Sequence, residues 1–410
     1  MKNITKRLTA FMAAGALLAM SGCGNGSSGT ADNTAAGNTD EQPIKIAYFG
    51  PVTGNSMQYG KSLSEGVQLA VEMANENGGV MGRQIELVAF DDKGDPKEAV
   101  NVANKITSDS DIEVAIGSFA SSASMSAAPV FEEAGVMQLA ATCSHPDFVG
   151  MGELMFSNAM SMGIEARQYA DNMMASCGKK DTAIIYANTD WGVTNSENVQ
   201  EQLKAEGVNV VAYENYISGQ TTDFTPILAK IKEKNPEILY VAAANYQEGA
   251  NIFKQAINLE INAAYYAAGT ILIQDFADLM GSQGDGIIVM CSVPMFTETA
   301  LENADQATLD FIQAYQDAYG EVPDGFAANF FDATNMLLAK IEECGAYDAE
   351  AIQQAYRSYE DYPGVSGTIS LLDTKDVIRD VITYELRYGQ FYLVNKQIFN
   401  HLQNRKERLP

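Results

Sequence analysis

Histidine is almost missing from this chain: His145 and His401 are the only two among 410 residues. So few argue against a multi-histidine metal site, and a Ser–His nucleophile would have to run through His145. Cysteine is sparse too, at positions 23, 143, 177, 291 and 344, with neither CxxC nor zinc-ligand spacing. Export would permit disulfides among Cys143, Cys177, Cys291 and Cys344, but sequence does not pair them, and buried small hydrophobes are the default reading. The nucleophile elbow GxSxG, the Walker A loop and HExxH do not occur. Adjacent acids such as Asp91-Asp92 and Glu132-Glu133 read as solvated or capping carboxylates. No catalytic residue, metal or cofactor is assigned, and an enzyme is the weakest reading of the chain. Basic residues are scarce as well: 26 Lys and Arg stand against 53 Asp and Glu, for a net charge of −27. That balance disfavours nucleic acid and anionic lipid surfaces as partners. Beyond this it says little except that an exported protein stays soluble.

After the N-terminus there is no apolar run long enough to cross a bilayer. At the N-terminus, Lys2, Lys6 and Arg7 precede an apolar stretch from Leu8 to Met20, and small residues then lead to Cys23. The stretch is too short and too rich in Ala and Gly for a stable span, and reads as an export signal over 1–22. The run Leu18–Asn25 (LAMSGCGN) resembles the lipobox of bacterial lipoproteins. That resemblance implies that Cys23 is lipidated and becomes the first mature residue, which places the protein outside the cytoplasm on a membrane anchor. An ordinary secretory signal with an incidental cysteine is the alternative. Losing residues 1–22 removes three cations and no anion, taking −27 to −30. Residues 23–42 lack aromatic and large aliphatic side chains and are expected to form a flexible tether. Folding is expected to begin near Pro43, and the length that remains suits two lobes better than one core.

The body alternates short apolar runs with amphipathic helical patterns. Ile44–Phe49, Ile85–Phe90, Val114–Ile116 and Val136–Ala140 read as buried strands. Leu63, Gly66, Val67, Ala70, Val71 and Ala74 recur at helical spacing, and Gly78-Gly79 ends that helix. Asp95-Pro96 offers a cap followed by proline in the first turn. The rhythm restarts after residue 160, with strands at Thr182–Tyr186, Val208–Tyr213, Ile238–Ala242, Ala264–Ala267 and Ile287–Cys291 between helices. Three helical segments follow, near 301–319, 329–343 and 349–359. Strands are expected at Gly367–Ile369, Val381–Leu386 and Phe391–Val394, then a polar tail over 401–410. Such alternation predicts parallel sheets built from βαβ units, in two consecutive sets.

The segment Ile116–Ser124 (IGSFASSAS) lies where a parallel strand gives way to a helix. Ligands of open α/β sheets bind at the carboxyl ends of strands, and a helix N-terminus there offers free N–H groups to an anion. Ser121 and Ser122 would add hydroxyl donors. They would equally serve as caps of their own helix, and the residues alone do not separate the two readings. The next strand also ends in small polar residues, Ala141–Pro146 (ATCSHP), which favours an anion site over two unrelated caps.

Several further segments carry a family resemblance: Pro51–Gly54 with Gln58-Tyr59-Gly60, Asn75–Gly82 (NENGGVMG), Asp91-Asp92 with Asp95–Val100, and Asp190-Trp191-Gly192. With Ile116-Gly117 and Ser121-Ser122 they make the chain similar, over nearly all of 43–395, to the type I periplasmic binding proteins, specifically the leucine/isoleucine/valine-binding group. The resemblance implies an α/β protein of two Rossmann-like lobes with a ligand cleft between them. The lobes would be 43–160 plus 293–367, and 161–292 plus 368–400, with crossovers near 158–162, 291–295 and 366–369. It implies that Ser121 binds a solute carboxylate through hydroxyl and N–H, that Ser144 adds a hydroxyl, and that Thr142 adds a backbone contact. Tyr59 would form an aromatic wall on the first lobe. Trp191 and Tyr246, with Asn245 beside it, would cover the ligand from the second. The acids that hold an amino acid's ammonium group in the family fall at Met162 and Gly269, neither of which is acidic. Either a small shift brings in another acid, such as Glu165 or Asp190, or the solute lacks an amine, as an aromatic or short-chain acid does. The family's first-lobe cysteine pair is absent, with Gly94 and Ala120 in its place. The implied partners are a small carboxylate solute, the permease and ATPase subunits of an ABC importer, and the membrane through its anchor. The protein would act as a monomer, and a sensory receptor subunit is the other use of such a fold.

Overall fold

The structure, a computed structural model, describes residues 42–297, 301 and 304–394. The expected signal, Cys23, most of the tether and the tail lie outside the described residues.

The first sheet begins with β1 (Ile44–Gly50), whose side chains are all buried except Lys45. From β1 the chain runs into α1 (Met57–Glu76), β2 (Ile85–Asp91), α2 (Pro96–Ile106), β3 (Ile112–Ile116), α3 (Ser121–Ala134), β4 (Met137–Leu139) and β5 (Met155–Phe156). The strands pair in the order β2-β1-β3-β4-β5, all parallel. Burial of β1 and β3 at every position but Lys45 and Glu113 follows from helices on both faces of a parallel sheet. The Asp95 carboxylate caps α2 by accepting from the Lys97 and Glu98 N–H groups, with Pro96 in the first turn.

The second sheet takes up the chain after α4 (Met162–Cys177). Its alternation runs β6 (Thr182–Ala187), α5 (Asp190–Ala205), β7 (Val210–Tyr216), α6 (Thr225–Glu233), β8 (Ile238–Ala242), α7 (Tyr246–Asn258), β9 (Ala264–Ala268), α8 (Gln274–Met280) and β10 (Ile288–Cys291). The chain then returns through α9 (Gln306–Tyr319), α10 (Gly325–Cys344) and α11 (Ala349–Tyr356) to a small sheet of β11 (Tyr362–Gly364), β12 (Gly367–Leu371) and β13 (Val377–Ile378). It ends in β14 (Ile382–Arg387) and β15 (Gln390–Leu393). The second sheet has the order β15-β14-β10-β9-β8-β6-β7, parallel from β10 to β7, with β14 and β15 antiparallel at its edge.

The long helices α1 and α10 pack so closely that a Cβ on Gly66 would lie 2.3 Å from the Ala327 carbonyl oxygen. Phe326, Phe330, Met336, Leu337 and Ile341 of α10 join the core of the first sheet, so the returning segment belongs to the first lobe. Ile369 and Val377 are buried in that same core, and the Lys375 ammonium donates to the Gly152 carbonyl at 2.6 Å. The small sheet thus sits on the first lobe. The third passage between lobes falls between β13 and β14, later than the 366–369 expected from the sequence. The reason is packing: β12 and β13 pair with each other and bury Ile369 and Val377 in the first core, a partnership that no local pattern records.

Both sheets reverse their strand order beside the first strand of the set, between β1 and β3 and between β6 and β8. Loops leaving the carboxyl ends of those strands diverge there and open a crevice. The two crevices face one another and form a single cleft.

Candidate functional site

A cavity of about 390 Å³ fills that cleft. Segments after β1, β3 and β4 line it from the first lobe, and segments after β6, β8, β9 and β10 from the second.

The first-lobe wall is built around the N-terminus of α3. Its cap position is Ala120, and no side chain accepts a hydrogen bond from the first turn. Ser121 and Ser122 therefore do not cap the helix, and the open first turn faces the cavity they both line. The Ser121 hydroxyl is only 2 % exposed as a residue and has no hydrogen-bond partner of ordinary geometry; only the weakly polar Cys143 thiol lies against it. A buried hydroxyl without a partner, at the positive end of a helix, suits an anion. Thr142 also lines the cavity, but its hydroxyl donates to the carbonyls of Ser118 and Phe119, at 3.2 and 2.9 Å, and holds the α3 loop. Ser144 lines it too, and its carbonyl accepts from the Met162 N–H at 2.9 Å, tying this wall to the start of α4.

The second-lobe wall carries Trp191, in the first turn of α5, and Asn245, the cap of α7, whose side chain accepts from the Glu248 N–H. Buried Glu248 also accepts from the Tyr216 and Ser218 hydroxyls and the Gly219 N–H, fixing the loop that lines the cavity's edge. Gly269 lines the cavity where β9 ends. A Cβ there would lie 2.3 Å from the Cys291 sulfur, so the position admits no side chain while Cys291 stands behind it.

Three residues expected in the site stand outside the lining. Met162 is fully buried, with its sulfur accepting from the Asn195 amide at 3.0 Å. Tyr59 is 1 % exposed and stacks against Phe119, at 4.4 Å between ring centroids, so Phe119 rather than Tyr59 faces the cavity. Tyr246 packs its ring on Tyr59, and its N–H donates to the Tyr59 hydroxyl at 2.9 Å.

In their stead the structure brings in Phe119, Phe326 and the pair Glu165 and Tyr169 from α4. Glu165 is the acid that an ammonium site requires. It is 6 % exposed, and burial pushes its carboxyl from an ordinary 4.5 to about 7, against the opposing pull of Ser292, Tyr169 and the Arg379 charge. Sequence did point toward it, since a carboxylate in the first turn of α4 lies one helical turn beyond Met162. Phe326 gave no such signal, because α10 reaches the cleft only by folding back on the first lobe.

A sequence model of the family described as periplasmic binding protein matches residues 43–390. The chain belongs to that family. Its members are extracytoplasmic and bind substrates without converting them. Among relatives, the chain is similar to the leucine-, isoleucine-, valine-, threonine- and alanine-binding protein of Pseudomonas aeruginosa. The two are 26 % identical over 360 residues, covering 87 % of this chain and 90 % of the relative. A leucine-binding protein of Thermotoga maritima has the same fold, with a TM-score of 0.78 at 24 % identity, covering 86 % of this chain and 98 % of that one. So does an ABC-transporter solute-binding protein of R. palustris solved with benzoate, with a TM-score of 0.77 at 19 % identity, covering 86 % and 96 %. Such distant likenesses carry the two-lobed fold and no more.

Proposed function

We propose that this protein is the solute-binding component of an ABC importer of the branched-chain amino acid type, and that its cargo is a small α-amino acid. One observation carries the reading: a single cavity between the lobes offers both an open helix N-terminus with the unpartnered Ser121 hydroxyl and the buried Glu165 carboxylate. The first suits a carboxylate, the second an ammonium group, and Phe119, Trp191 and Phe326 suit an apolar side chain. The relative's amino acid specificity agrees. The protein binds by closing its lobes, and the closed form is what a permease would engage. Cys23, once lipidated, would hold it at the membrane.

A second reading has its own support. Burial keeps Glu165 neutral over part of the physiological range, and a neutral carboxyl tolerates an acid without an amine, such as the benzoate bound by the R. palustris neighbour. Thermal shifts separate the two. Branched-chain amino acids and their deaminated counterparts are compared at pH 8 and pH 6, on the wild type and Glu165→Gln. The amino acids are expected to raise the melting temperature of the wild type, more at pH 8 than at pH 6, and to lose most of the effect in the variant. A stronger response to the deaminated acids, kept in the variant, would establish the second reading instead.

A further inference from the structure

Tyr59 makes contacts that its expected place as an aromatic wall does not explain. It belongs to α1 of the first lobe, yet its hydroxyl reaches two backbone groups of the second. It donates to the Thr270 carbonyl at 2.7 Å, in the turn after β9, and accepts from the N–H of Tyr246 at 2.9 Å, the first residue of α7. A phenol has one donor and a small acceptor capacity, and both are used, in near-complete burial. The two backbone groups stand at strand ends of the second sheet, so the bonds cannot survive separation of the lobes. Once the lobes part, all three groups are at liberty to bond water, and opening strands no buried polar group.

The ring is tied to the cavity. It stacks on Phe119, with centroids 4.4 Å apart and planes 13° from parallel, and meets the edge of Phe326 at 5.3 Å. Both of those side chains line the cavity. A solute pressed against them fixes the ring from the other side and thereby the height of its hydroxyl. At the cavity's edge the lobes approach again: a Cβ on Gly219 would lie 3.1 Å from the Asn55 amide nitrogen.

We propose that the Tyr59 hydroxyl is a latch between the lobes, and that Phe119 and Phe326 connect its engagement to occupancy of the cavity. The inference rests on the solute-binding reading only for its link to occupancy; the latch itself is a property of closure. Tyr59→Phe keeps the ring and removes the hydroxyl. In the ligand-free protein, amide hydrogen exchange at Tyr246 is expected to accelerate in the variant, while amides within β1 and β8 keep their protection. Small-angle scattering is expected to show a larger radius of gyration. Tyr246→Phe, which keeps the amide, is expected to match the wild type in both. With L-leucine as the probe, the variant's dissociation rate is expected to rise roughly tenfold, as the loss of two hydrogen bonds implies, with association little changed. Unaltered exchange at Tyr246 and an unaltered radius in Tyr59→Phe would overturn the latch. Altered exchange and radius with an unaltered leucine dissociation rate would overturn the link to occupancy. A wild type that ignores leucine but shows the exchange and scattering differences would leave the latch standing and count against the amino acid reading.

Discussion

Ser121 and Glu165 set opposite electrostatic demands on one small volume. The hydroxyl is a buried donor without an acceptor of ordinary geometry, and the carboxyl is a buried acid whose pull from Ser292, Tyr169 and the Arg379 charge does not offset its burial. Each is a cost to the empty protein that a zwitterion would remove. The sign of the pH effect follows. Glu165 has its proton affinity raised by burial, so its contribution to the stability of the empty protein is full below the ordinary carboxyl range. That contribution is lost as pH rises through about 7. Binding an ammonium group requires the ionised form, so affinity falls as pH drops below about 7, by up to about tenfold per unit. The double variant Ser121→Ala with Ser144→Ala is expected to weaken solute binding by about 2–4 kcal/mol, measured by titration calorimetry. Unchanged affinity would return both serines to a packing role. Ser121 was legible because a strand-to-helix junction with serines is a local pattern. The demotion of Met162 was not, because which face of α4 meets the cleft depends on how the helix lies against β10 and the crossovers.

Elements, more than residues, place the site. Every strand that contributes to the cavity does so at its carboxyl end, and α1, α3, α5 and α7, which follow β1, β3, β6 and β8, begin at the cavity. Those helices are capped in different ways. Thr189 caps α5, and Asn245 caps α7, each with its own side chain. The start of α3 carries none, which leaves its first turn to a ligand. The α1–α10 contact shows how an element from late in the chain is held on the first lobe. Gly66→Ala would force a methyl group within 2.3 Å of the Ala327 carbonyl, and the helices would have to separate. Chemical denaturation is expected to show a loss of about 1–3 kcal/mol, as overpacking of a tight contact costs. A neutral result would mean that the helices shift freely. Most strands and helices of the two main sheets were legible because their apolar periods are long and unbroken. The short strands β5, β11 and β13 were not, since two or three residues carry no period.

At the scale of the molecule, a buried polar network joins the passages between lobes. Asn158 follows β5, Asn329 is on α10, Ser366 is in the turn between β11 and β12, and Arg379 follows β13. Arg379 donates to the Asn329 side chain at 2.8 Å and to the Ser366 hydroxyl at 2.9 Å, Asn158 donates to Asn329 at 3.0 Å, and Asp332 accepts from Ser366. Asn329 also lines the cavity, so the network begins where the solute would sit. Such a network holds the crossovers it joins in one arrangement. The anchor belongs to this scale as well. If Cys23 tethers the protein, the chain from there to Pro43 keeps it near a permease at high effective concentration. Cys23→Ala is expected to release the protein from the membrane fraction into the soluble one on cell fractionation. Retention at the membrane would mean another attachment.

The sequence by itself determined the class of the molecule. Apolar period, helix caps and strand-end glycines are local properties, and they gave two α/β lobes, the serine-bearing junction at α3 and the absence of a metal or nucleophile motif. Tertiary structure decided which side chains share the cleft. Phe119 displaced Tyr59 from the wall, Phe326 arrived from a helix two hundred residues away in the chain, on the order of half its length, and Glu165 entered the lining while Met162 stayed in the core. Those outcomes depend on the packing of one lobe against the other, where contacts are remote in sequence and no local pattern records them.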